Sequence, residues 1–158
     1  MLKKINWAPL ALFVIAVELI GLLCGVVSGD VAGIYEVACK PPLSVPGWLF
    51  NLAWPLVYAA IGVALYLAHQ SCACDEEKKQ AFIATGTPLI LNLLWGIIFF
   101  RFGLVWAAFV IGLALAVASW QAMRRIKEVD PLAGKLMLAY LTWVVYILYL
   151  NLGFIIVN

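Results

Sequence analysis

Residues 5–29 read INWAPLALFVIAVELIGLLCGVVSG, an apolar run in which Glu18 is the single charged residue. A helix needs roughly 20 apolar residues to cross the hydrocarbon core of a bilayer. The run is also much longer than the roughly 7–15 apolar residues at the centre of a secretory signal peptide. We therefore interpret it as a retained membrane-spanning helix, which makes the chain an integral membrane protein.

The composition of the whole chain agrees with a membrane protein. Of the 158 residues, 66% are hydrophobic and 11% are charged, and the formal net charge is +2. Soluble domains carry about 25% charged residues, so this chain could not cover a surface that faces water. The small net charge and the lack of a large basic patch also exclude nucleic-acid binding.

Charged and turn residues divide the chain into apolar spans, each close to the length of one membrane crossing. The spans cover about 5–27, 47–68, 81–100, 104–123 and 136–157. The predicted fold class is therefore an all-α integral membrane protein, a five-transmembrane-helix bundle that forms a single domain over residues 1–158.

The basic residues predict the orientation of this bundle. Lys40 and Arg101 fall on one side, and the other side carries Lys3, Lys4, Lys78, Lys79, Arg124, Arg125, Lys127 and Lys135. Because cytoplasmic loops are enriched in Lys and Arg, the N-terminus is predicted in the cytoplasm and the C-terminus outside. The outer side then carries one long loop, about residues 28–46.

Polar and aromatic residues gather beneath this loop. At 1.5 Å per residue, five of them lie roughly 9–13 Å below the outer edge, and Trp143 lies slightly deeper; the five are Glu18, Trp54, Asn92, Trp95 and Asn151. A carboxyl group at this depth is costly and by default marks a functional site, although a protonated Glu18 bonded to a backbone carbonyl is the alternative. The tryptophans fit pocket lining and core packing equally well.

Several motifs in the same region resemble one known family. The loop and second span contain Lys40-Pro41, Pro46, Trp48, Phe50, Trp54 and Tyr58, and the third span contains Asn92-Leu93-Leu94-Trp95. The fifth span contains Tyr140-Leu141-Thr142-Trp143 and Leu150-Asn151. Together with Glu18 and Gly21 of the first span, these motifs resemble the TspO/MBR family, the tryptophan-rich sensory proteins related to the mitochondrial translocator protein.

The resemblance implies a bundle, often dimeric, that binds porphyrins such as protoporphyrin IX or haem in a pocket under the first loop. It implies a tetrapyrrole or another hydrophobic small molecule, the lipid bilayer and a second copy of the chain as partners. The expected location is a prokaryotic cell membrane. No cofactor, catalytic residue or metal ligand is expected, and the expected ligand-binding residues are Trp54, Tyr58, Asn92, Trp95, Trp143, Leu43 and Glu18.

The predicted function is therefore binding of a flat, mostly apolar ligand in a sensory, transport or stress role. One alternative is a porphyrin-degrading enzyme, disfavoured because Leu43 replaces the aromatic residue that the family has in this loop. Another is a proton-coupled exporter in which Glu18 carries the proton. The stripe Gly21, Gly25, Gly29 suits either a dimer contact or close packing within one chain.

Overall fold

The computed structural model describes residues 5–157. Lys3 and Lys4, on which the predicted orientation partly rests, and the C-terminal residue Asn158 lie outside the described residues. All the regular secondary structure in residues 5–157 is helical. Its elements are α1 (Trp7–Ser28), α2 (Val31–Val37), α3 (Gly47–Gln70), α4 (Asp75–Gly96), a π-helical segment (Ile97–Arg101), α5 (Val105–Val129) and α6 (Pro131–Val157).

The predicted fold class is confirmed, because five helices in residues 5–157 are long and apolar enough to cross a membrane. The largest difference from the predicted spans is at the start of α4. The charged residues Asp75–Lys79 fall between the predicted spans 47–68 and 81–100, but they form the first turns of this helix. The Glu77 carboxylate accepts a hydrogen bond from the Cys74 N–H at 3.1 Å, and acidic residues are favourable near a helix N-terminus.

The five long helices follow one another around the bundle in the order α1, α3, α6, α5, α4, and α4 returns to α1. Small residues allow α5 and α6 to approach closely, with Ala122 and Ala133 fully buried. The short turn between them is fixed by Asp130, whose carboxylate accepts hydrogen bonds from the N–H groups of Leu132 and Ala133, both at 2.9 Å. This side of the bundle is tightly packed.

Helix α1 packs far less closely on the rest of the bundle. Only Val17, Cys24 and Ser28 of its 22 residues are buried. Away from the long loop it meets α3, where a Cβ atom on Gly62 would lie 2.6 Å from the Val14 Cα. At the loop end it meets α4, because Ser28 lies directly over Gly96 and leaves no room for a side chain there.

The loop between α1 and α3 covers one end of the bundle. The Tyr35 ring stacks on Phe50 at 4.3 Å, and its hydroxyl donates to the Val45 carbonyl at 2.8 Å. Burial raises the pKa of the Tyr35 hydroxyl above its ordinary value, so this group stays a donor into more alkaline solution. The Tyr146 hydroxyl accepts from the Val45 N–H and donates to the Leu43 carbonyl, both at 3.0 Å. Helix α6 thus holds the loop in place.

Candidate ligand-binding site

A cavity of about 480 Å³ lies between α1, α3 and α4, toward the loop end. Its wall combines tryptophan rings and aliphatic side chains with a few polar groups. The lining residues are Glu18, Gly21, Leu22, Cys24, Gly25, Val26, Ser28, Val31, Asn51, Trp54, Pro55, Tyr58, Asn92, Trp95, Gly96 and Phe100. A concave, mostly apolar space with a few convergent polar groups is the usual form of a small-molecule site.

Two tryptophans form the aromatic part of the wall. The rings of Trp54 and Trp95 lie 6.2 Å apart between centroids. The Trp95 indole N–H donates to the Asn151 side-chain oxygen at 3.1 Å, and the Asn151 amide donates to the Val105 carbonyl at 3.0 Å. Asn151 therefore fixes the orientation of Trp95 from outside the cavity.

Asn92 and Tyr58 form a polar pair in the cavity wall. The Asn92 amide nitrogen donates to the Tyr58 hydroxyl oxygen, and both side chains are 3% exposed. The other amide atom of Asn92, Oδ1, is buried without a hydrogen-bond partner. A buried acceptor left unpaired costs about 1–3 kcal/mol.

Glu18 lies in the wall on α1, one helical turn before Leu22. Its side chain is partly exposed. Within the described chain its carboxylate makes neither a hydrogen bond nor a salt bridge. It is therefore an ionisable group in the cavity wall whose charge is not compensated by the described residues.

The structure brings five of the seven predicted site residues together in this wall: Glu18, Trp54, Tyr58, Asn92 and Trp95. The other two, Trp143 and Leu43, do not line the cavity. Trp143 packs edge-to-face on Trp54 at 5.9 Å, and its indole N–H is buried without a partner. Leu43 is 84% exposed on the loop. Their role in ligand binding stays a prediction.

That this cavity is the ligand pocket expected under the loop stays a prediction. The cavity lies against α1, and Val31 of α2 is its single lining residue between α1 and α3. Sequence reasoning missed several wall residues, among them Cys24, Ser28, Asn51 and Phe100. The α1 part of the cavity wall could have been predicted from residue spacing, because residues three and four apart share one face of a helix. These residues are Glu18, Leu22, Gly25 and Val26.

The glycine stripe of α1 is divided among different roles. Gly21 lies against the Tyr58 ring of the same chain, so this glycine serves packing within the monomer. Gly25 meets no atom within 4 Å of the place where its Cβ would stand. Gly29 adopts φ +89° just after α1, a conformation that favours glycine.

Over the described residues, the protein is thus an all-helical membrane protein with a cavity whose wall contains tryptophan rings. The sequence profile of the TspO/MBR family matches residues 13–157, and the chain belongs to this family. The tryptophan-rich protein TspO of Archaeoglobus fulgidus is 34% identical over 119 residues, which cover 75% of this chain and 76% of that protein. The translocator protein of Homo sapiens is 30% identical over 148 residues, 92% of this chain and 87% of the human protein. The tryptophan-rich sensory protein of Cereibacter sphaeroides is 28% identical over 109 residues, 69% of this chain and 66% of its own length.

Proposed function

We propose that this membrane protein binds a flat, mostly apolar ligand, a tetrapyrrole such as protoporphyrin IX or haem, in the cavity between α1, α3 and α4. The observation that carries the proposal is one wall that holds two indole rings and the unpartnered amide oxygen of Asn92. The names of the relatives, tryptophan-rich sensory protein and translocator protein, agree with a sensory or transport role. We further propose a prokaryotic cell membrane as its location, and the basic residues favour a cytoplasmic N-terminus and an outer C-terminus.

The size and chemistry of the cavity support a ligand of this kind. Its volume of about 480 Å³ falls within the roughly 300–1,000 Å³ of typical small-molecule pockets. The indole rings of Trp54 and Trp95 offer flat apolar surfaces for a macrocycle. Arg101 follows the lining residue Phe100 and donates one hydrogen bond, to the Val27 carbonyl at 3.3 Å. Its other donors remain for a propionate at the rim.

Titration of the purified protein with protoporphyrin IX tests this proposal. We expect a shifted Soret band, and we expect Trp54→Leu to weaken binding about tenfold, the equivalent of about 1.4 kcal/mol. Trp120→Leu is the matched control, because Trp120 lies on α5 outside the cavity, with Arg124 at 5.2 Å from its ring. Equal affinities of the two variants would contradict the proposed site.

A second candidate function is proton-coupled export of the same ligand. The observation that favours it is the uncompensated carboxylate of Glu18 in the cavity wall. Glu18→Gln keeps the size of the side chain and its capacity for hydrogen bonds but cannot release a proton. We expect this variant to bind porphyrin normally. Loss of pH-gradient-driven flux in liposomes would support export, and unchanged flux would refute a proton-carrying role.

A homodimer is a separate proposal. The outward surface of α1 exposes large apolar side chains, namely Leu12, Ile15, Leu19, Leu22, Leu23 and Val26. In a bilayer such a surface contacts either lipid or another helix. Cross-linking in native membranes, followed by mass measurement in mild detergent, tests this proposal, and a purely monomeric product would refute it.

A further inference from the structure

Helix α1 is held to different neighbours at its two ends. In the half away from the loop it packs on α3, with Gly62 against Val14 and Gly21 against Tyr58. At the loop end it is held to the α4 region, because Ser28 lies over Gly96 and Arg101 donates to the Val27 carbonyl. Toward the loop end the cavity lies between α1 and α3, and we call this space the gap.

The residues that flank this gap line the cavity and are also exposed. They are Leu22, Gly25 and Val26 of α1 with Asn51 and Pro55 of α3. Leu22 and Val26 are 65% and 70% exposed. At 1.5 Å per residue, Pro55 lies about 12 Å along α3 from Gly47, and Leu22 about 9 Å along α1 from Ser28. The gap therefore faces the hydrocarbon part of the bilayer.

In contrast, hydrogen bonds and packed aromatic rings close the loop end of the bundle. Hydrogen bonds from Tyr35, Tyr146 and Tyr149 hold the backbone at residues 42–45. Beneath the loop, Phe50, Trp54 and Trp143 pack on one another with centroids 5.9–6.2 Å apart. These contacts close the loop end on the α6 side of Trp54, whereas the cavity residues on the α1–α3 side are exposed.

We propose that the ligand passes between the bilayer and the cavity through the gap between α1 and α3. The ligand class is then a small molecule dissolved in the leaflet on the loop side. This proposal rests on the proposed function only in that the cavity binds a ligand. It adds the route and the requirement that the ligand partitions into lipid.

Cys24 provides a reporter that does not depend on porphyrin. It is buried and lines the cavity, whereas Cys39, Cys72 and Cys74 are exposed. With those three replaced by serine, the full-length protein in liposomes is treated with N-phenylmaleimide or with a maleimide that carries a fixed charge. In either reaction the Cys24 sulfur forms a bond to one alkene carbon, and the thiol proton ends on the other.

We expect the apolar reagent to label Cys24 at least about tenfold faster than the charged one, because a charge is strongly disfavoured in the bilayer interior. Equal rates for the two reagents would overturn the proposal in favour of an aqueous route. Failure of both reagents in liposomes, with full labelling after denaturation, would overturn it as well, because the gap would then admit no solute.

A pair of glycine variants locates the passage. Gly25 and Gly86 both lie in helices with nothing within 4 Å of an added Cβ, but Gly25 flanks the gap and Gly86 lies outside the cavity. We expect Gly25→Leu to slow labelling of Cys24 severalfold and Gly86→Leu to leave it unchanged. Equal rates in the two variants would overturn the proposed route. Labelling as expected in a protein that fails to bind porphyrin would refute the proposed ligand and leave the route intact.

Discussion

The two sides of this bundle are both apolar and yet pack differently. On the α5–α6 side, Ala118, Ala122 and Ala133 are buried and the helices lie in close contact. On the α1 side, large aliphatic residues point outward, and α1 meets its neighbours mainly at Gly21, Gly62 and Gly96. Lipid is as apolar as leucine, so small residues rather than hydrophobicity decide where membrane helices pack closely. The side with few such contacts is the side that contains the cavity.

The largest expected loss of stability comes from truncating a buried leucine on the α5–α6 side, and an exposed leucine of α1 is the comparison. Leu115 of α5 is 1% exposed, and Leu22 of α1 is 65% exposed. We expect Leu115→Ala to lower the free energy of unfolding by about 2–5 kcal/mol, because it leaves a void among buried neighbours. We expect Leu22→Ala to change it by less than about 0.5 kcal/mol. Thermal unfolding in detergent micelles measures both losses, and equal losses would show that the two sides pack equally tightly.

Two buried asparagines provide a second contrast in stability. Asn151 uses both amide atoms, on Trp95 and Val105, whereas Asn92 bonds only Tyr58 and leaves Oδ1 unpaired. Asn151→Leu leaves two groups without partners, and we expect it to cost about 2–3 kcal/mol of unfolding free energy. Asn92→Leu should cost clearly less, since it also removes an unsatisfied oxygen. A larger loss in Asn92→Leu, measured by the same thermal unfolding, would show that Oδ1 is satisfied in the folded protein.

Loosening the loop should have a smaller effect. Tyr146→Phe removes the acceptor of the Val45 N–H and the donor to the Leu43 carbonyl. We expect a loss of about 1 kcal/mol and faster proteolysis within residues 41–46, because each such hydrogen bond contributes about 0.5–1.5 kcal/mol. Limited proteolysis in liposomes measures the loop directly. An unchanged cleavage rate would mean that α6 does not hold the loop in place.

The smallest expected effect concerns Leu43. Its side chain is 84% exposed and lies outside the cavity wall, so an indole there gains no contact with a ligand bound against α1. We therefore expect Leu43→Trp to leave both porphyrin affinity and light-dependent loss of the Soret band unchanged. A gain in either would place the ligand beneath the loop, on the side of Trp143.

The fold and much of the site could be predicted from the sequence. Hydropathy located the five spans, and the rise per residue placed Glu18, Trp54, Asn92 and Trp95 at a common depth, where the cavity lies. Depth alone does not determine which way a side chain faces around a helix. Trp143, expected slightly deeper, therefore packs on Trp54 instead of lining the wall.

The loop and the helix ends were less predictable for local reasons. Leu43 adopts φ +63°, a conformation that no hydrophobic pattern indicates, and the loop turns its side chain outward there. At Asp75–Lys79, charge alone does not distinguish a solvated loop from a solvated helical turn. Asp30 did carry a readable signal for α2, because its carboxylate caps this helix by accepting from the Gly33 N–H at 2.9 Å.

We expect the ligand to bind against α1 and to satisfy the buried oxygen of Asn92. The most direct measurement is the dissociation constant of protoporphyrin IX for Asn92→Leu, with Thr85→Val as the control. Both substitutions remove a buried polar group from α4, but Thr85 bonds the Ala81 carbonyl and does not line the cavity. We predict about tenfold weaker binding for Asn92→Leu, equivalent to about 1.4 kcal/mol, and wild-type affinity for Thr85→Val. Wild-type affinity in the folded Asn92→Leu protein would contradict this expectation.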